Sequence, residues 1–121
     1  MDAVLITAVA VFFLLMGGYA LAAPAAVVQP FGFRVETPVA RSEIRAVYGG
    51  FGIAVAALLG AAAANVGGIR TGAVIAVAAA LGGMAAGRII SRVLDRSVGF
   101  YPVWFYCGVE LLAAGLLCAA A

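Results

Sequence analysis

The sequence predicts an all-α integral membrane protein, a four-transmembrane-helix bundle, and three observations carry that prediction. Hydrophobic residues make up 67% of the 121 residues and charged residues only 10%, whereas a soluble domain carries about a quarter charged residues. The apolar residues fall in four continuous runs, each long enough to cross a hydrocarbon core of about 30 Å. The runs are dominated by Ala and Leu without two-residue alternation, so they read as helices and not strands.

The runs lie at approximately 3–23, 43–64, 70–90 and 100–121, and together form one four-helix domain over 1–121. The first could be mistaken for a signal peptide. Asp2 stands where a basic n-region would be, and about 21 apolar residues exceed a typical h-region, so a retained helix is expected. The first connection, from Pro24 to Ser42, is the longest and contains Pro24, Pro30, Gly32 and Pro38. Thr37-Pro38 reads as an N-cap followed by proline at the first helical position, so the second helix is expected to begin near Pro38, ahead of the membrane. Asn65-Val66-Gly67-Gly68 reads as a tight turn, and Ser91 to Gly99 as a polar third connection. Gly60-x-x-x-Ala64, Gly68-x-x-x-Gly72 and Gly83-x-x-x-Gly87 match the small-residue spacing that lets membrane helices approach closely.

All seven basic residues are arginine, and there is no histidine. Six of them (Arg34, Arg41, Arg45, Arg88, Arg92 and Arg96) fall on or beside the first and third connections, with Arg70 alone at the other end. The positive-inside rule then places both termini outside and the arginine-rich connections in the cytoplasm. Phe100, Tyr101, Trp104 and Phe105 fit an interfacial aromatic belt on that side. A net charge of +2 gives no reason to expect nucleic acid as a partner. Cys107 and Cys118 are eleven residues apart on one helix, which is roughly 16 Å and beyond disulfide reach. With no His and no Cys-x-x-Cys pair, no metal or cofactor is expected.

Glu110 is the residue that asks for an explanation, because it sits in the middle of the last apolar run. A carboxylate at the centre of a bilayer costs about 2.5–3.5 kcal/mol on insertion scales, and such a residue is by default a functional candidate. In the second helix Arg41, Arg45, Tyr48 and Gly49 recur at spacings of three or four, and Arg88 and Arg92 do the same in the third. Arg45 and Arg88 are expected at similar depth with Glu110 deeper. Arginine can reach inward or snorkel outward, whereas glutamate is short and must pair with an arginine or take up a proton. The candidate cluster is Arg45, Tyr48, Arg88 and Glu110, with Glu43 and Arg92 at its edge.

Such a cluster has a structural reading, an Arg–Glu staple fixing helix register with Tyr48 completing the hydrogen bonds. It also has a binding reading, a polar pocket for a small amphiphile such as a lipid, a quinone or a small anionic ligand. Proton or ion movement would require an oligomer around a pore. Catalysis lacks His, Lys, a metal motif and a nucleophile, leaving Glu110 almost alone.

The string Ser42-Glu43-Ile44-Arg45-Ala46-Val47-Tyr48-Gly49-Gly50, Gly87-Arg88 closing the third helix, the Asp95 turn and Glu110 in the fourth together resemble the bacterial domain-of-unknown-function family 4345. Asp95-Arg96 departs from the Asp-Gly turn expected there. The resemblance spans essentially the whole chain and implies a four-span inner-membrane protein with no assigned activity. It places Glu43, Arg45, Tyr48, Arg88 and Glu110 on motif positions. A looser architectural likeness to DoxX-type proteins adds no function. The expected role is therefore binding of a small ligand in an intramembrane pocket, and the alternative is an accessory subunit of a membrane complex or homo-oligomer.

Orientation is open to direct test. In a chain whose native thiols are replaced, cysteines placed at Val66 and Arg96 are expected to label from opposite sides of the membrane, with position 96 cytoplasmic. Labelling of both from one side would overturn the topology.

Overall fold

The computed structural model describes residues 1–121. Four long apolar helices dominate it: a first span Asp2–Ala22, a second Pro38–Ala63, a third Arg70–Leu94 and a fourth Phe100–Ala120. At 1.5 Å per residue each exceeds 30 Å, enough to cross a bilayer. The first span packs on the second and fourth, and the third packs on the same two, so the helices form a square in chain order with diagonal pairs barely touching. Short connections between antiparallel neighbours produce this up-down-up-down order.

The helix starts and stops have local causes. The Thr37 hydroxyl accepts the Ala40 N–H at 3.0 Å, and Pro38 takes the first helical position, so the second span starts ahead of its apolar run as expected. The turn after Ala63 needs left-handed backbone at Asn65, Gly67 and Gly68 (φ 52°, 62° and 72°), which glycine and asparagine tolerate. The third span continues to Leu94, four residues past the apolar run, so Ser91 and Arg92 are helical and the third connection begins only at Asp95. Extra turns of helix satisfy backbone groups in the headgroup layer as well as in hydrocarbon, so hydropathy alone stops too early.

The two ends of the bundle differ. Towards the termini and the Asn65 turn the four helices meet in one buried apolar cluster, which includes Ile6, Val9, Leu59, Val74, Val77, Leu81, Ala113 and Leu117. At the arginine-rich end the helices diverge around a cavity. There the first connection folds back over the bundle. Its short helix Pro24–Val28 buries Val27 and Val28 against Ala20, and Phe31 then crosses to the fourth span, with its ring 5.5 Å from that of Tyr106.

Close approach occurs at glycines other than those singled out by spacing. A Cβ on Gly60, Gly68, Gly72, Gly83 or Gly87 would meet nothing within 4 Å, so those motifs do not hold this bundle together. The seam between the first and second spans is instead built on Gly17, Gly49 and Gly52. A Cβ at Gly17 would lie 2.8 Å from the Gly49 carbonyl oxygen, and one at Gly49 would lie 2.6 Å from the Leu21 side chain. Spacing within one helix says which residues share a face, but not which face meets a neighbour. Gly17→Ala is therefore expected to lower stability by about 1–3 kcal/mol, the usual cost of overpacking, while Gly83→Ala leaves it unchanged. Unfolding midpoints of the two variants in detergent would check this.

Candidate intramembrane binding site

Glu110 is the eleventh residue of the 21-residue fourth span, hence near mid-bilayer, and is only 5% exposed. Arg88 lies six residues before the end of the third span and reaches inward to meet it. Its Nε–H donates to Glu110 Oε1 at 2.8 Å and its Nη2–H to Oε2 at 2.9 Å. This two-pronged pairing matches planar guanidinium to planar carboxylate, the strongest geometry available to such a pair. The Arg88 guanidinium carbon also lies 5.8 Å from the Phe31 ring centroid and 5.9 Å from that of Tyr106, within cation–π range. Glu110 thus pairs with an arginine, and the pair joins the third and fourth spans. One helical turn before Glu110, buried Cys107 points its thiol at the Ala85 carbonyl, 3.9 Å away, on the same seam.

The other residues of the expected cluster divide. Tyr48 lines the cavity beside the pair but makes no hydrogen bond to it, so it does not complete the fork. Arg45 turns away: its Nε–H donates to the Leu21 carbonyl at 3.0 Å, capping the C-terminal end of the first span. Those last carbonyls have no partner within their own helix, and a cation there also meets the negative end of the helix dipole. Glu43 and Arg92 are exposed at the bundle end and hold no part of the cavity wall. Arg34 and Glu36 form a long 3.9 Å pair in the first connection, both well exposed.

Arg70, which drew no attention in the sequence beyond its place in the charge count, performs the same capping role as Arg45. It donates to the carbonyls of Ala62 and Ala63 at the end of the second span, at 3.1 and 2.6 Å. Three of the four seams of the square therefore carry one arginine each: Arg45 between the first and second spans, Arg70 between the second and third, and Arg88 between the third and fourth.

The cavity has a volume of about 820 Å³ and is lined by all four spans and the first connection. Its walls are largely apolar and aromatic: Phe12, Phe13 and Met16 of the first span, Phe31 and Phe33 of the connection, Val47 and Phe51 of the second span, Leu81 and Met84 of the third, and Tyr106 and Val109 of the fourth. Arg88 and Glu110 supply its charged groups. Sequence reasoning missed Phe31, Phe33, Phe12 and Met84. Aromatics at 31 and 33, within a Pro- and Gly-rich connection, were the available signal, since a solvated loop has no need of them.

The second span is wide where it borders the cavity. Arg45–Gly50 forms a π-helical turn. Such turns are rare, and they occur frequently at functional sites. This one includes Ala46, Val47 and Tyr48 of the cavity wall.

No curated protein and no solved structure matches the chain. One family model does, over residues 2–121, and its description is "Domain of unknown function (DUF4345)". The match takes in every span and both members of the buried pair, and the chain belongs to that family.

Proposed function

We propose that this multi-pass membrane protein binds a small amphiphile in the cavity at its arginine-rich end, the candidates being a lipid, a quinone or a small anionic molecule. One observation carries the reading: an apolar space of about 820 Å³ reaches an ion pair near mid-bilayer. Ligand pockets fall in the range of about 300–1,000 Å³, with apolar walls and a few convergent polar groups. If the pair served register alone, the surrounding side chains would be expected to close over it, as they do at the other end of the bundle.

The walls also favour a ligand delivered by the bilayer. Val47, Phe51 and Met84 line the cavity and are 53%, 57% and 49% exposed, so its mouth runs along the second and third spans and not only toward the connections. In the proposed orientation this end faces the cytoplasm, with the first connection as a cover.

A second reading, an accessory subunit of a membrane complex or homo-oligomer, draws on the glycines of the third span. Gly72, Gly83 and Gly87 face outward with nothing against them, where another helix could approach closely.

Native mass spectrometry of the protein extracted in mild detergent, beside Met84→Trp, separates the two. A discrete small adduct on the wild type that is lost from the folded variant is expected for the binding reading. A bare wild-type chain, or one seen only as protein oligomers, would favour the subunit reading.

A further inference from the structure

The hydrogen bonds that the pair leaves unmade narrow the ligand class. We infer that the cavity selects an uncharged headgroup that accepts hydrogen bonds through a carbonyl, carried on an apolar body. This inference rests on the cavity being a binding site.

A guanidinium has five N–H groups. Glu110 takes one from Nε and one from Nη2 of Arg88, leaving three, two of them on Nη1. No acceptor in the chain meets those three. Nor are the two on Nη1 sealed off, because no buried side-chain nitrogen or oxygen lacks a partner, and Arg88 lines the cavity. Tyr48 lines the same space, and its hydroxyl makes no hydrogen bond within the chain. Glu110 contributes little accessible acceptor surface, since its side chain is 6% exposed against 21% for Arg88. The cavity is therefore rich in free donors, and its occupant must bring the acceptor.

Charge decides which kind of acceptor. The fork is already neutral, with one positive and one negative group. A second anion would leave an unbalanced negative charge near mid-bilayer, where burial of an unpaired ion is costly. A ketone, ester or quinone carbonyl fills the free N–H positions and adds no charge. Of the ligand candidates, the small anion is thereby disfavoured. A ring ketone and an acyl ester share the required chemistry.

The test is a panel with closely matched tails, titrated in detergent micelles by ligand-detected NMR: dodecane, 2-dodecanone, dodecanoate and a benzoquinone carrying a decyl chain. Wild-type protein is expected to bind one or both uncharged carbonyl probes about ten-fold more tightly than dodecane, the scale of one hydrogen bond to a charged group. The tighter of the two identifies the source as chain or ring. Dodecanoate is expected to bind more weakly than either. In Glu110→Gln, which frees the positive charge, the order should reverse in favour of dodecanoate. In Arg88→Met/Glu110→Leu, all four probes should bind alike. If that variant does not fold, the wild-type series decides alone. Dodecanoate binding tightest to the wild type, or dodecane binding to it as tightly as both carbonyl probes, would overturn the inference while leaving the pocket in place. Failure of all four to bind the wild type would remove the pocket itself.

Discussion

Lipid tails are as apolar as leucine, so helices inside a bilayer gain little from hiding apolar surface against one another. This protein meets that constraint with a few close or polar contacts distributed around a square of helices. The two-pronged bond between Arg88 and Glu110 is the strongest of them, and it ties the third span to the middle of the fourth. Arg45 and Arg70 close two other seams through helix-end carbonyls, and three glycines let the first two spans approach backbone to backbone. The fourth seam, between the first and fourth spans, carries no such polar contact. It relies on side chains of the terminal half, among them Ile6, Val9, Ala113 and Leu117.

With these contacts in place, the two halves of the bundle can differ. Small and branched side chains pack the end near the termini into one buried apolar cluster. At the other end large aromatics stand around an open space, and the widened turn of the second span contributes Val47 and Tyr48 to its wall. The first connection joins the two helix pairs across that end through Phe31, which touches Tyr106 and faces Arg88. The ion pair consequently has two roles: it ties the third span to the fourth, and it gives an otherwise apolar cavity its polarity.

Much of this was legible in the residues. Continuous apolar runs fixed the number of spans, Thr37-Pro38 marked the start of the second, and the position of Glu110 demanded a partner. The identity of that partner followed in part, since Arg88 and Arg45 were both within reach and only Arg88 meets it. The outcome at Arg45 turned on the free carbonyl of Leu21, and sequence patterns of side chains do not display unsatisfied backbone groups. The glycine motifs failed for a related reason: periodicity locates a face on its own helix, while packing depends on how that helix is rotated against its neighbours. The cavity was hidden because it depends on the splay between helix pairs and on a wide turn, and neither has a residue signature of its own.

A double-mutant cycle on Arg88→Met and Glu110→Leu, read from unfolding in mixed detergent micelles, tests most directly whether this pair holds the bundle. Each single variant strands one buried charge and should lose about 3–5 kcal/mol, while the double variant, which replaces both by apolar side chains, should return to within about 1 kcal/mol of the wild type. Losses that simply add in the double variant would mean that the two groups act independently, and would contradict the account.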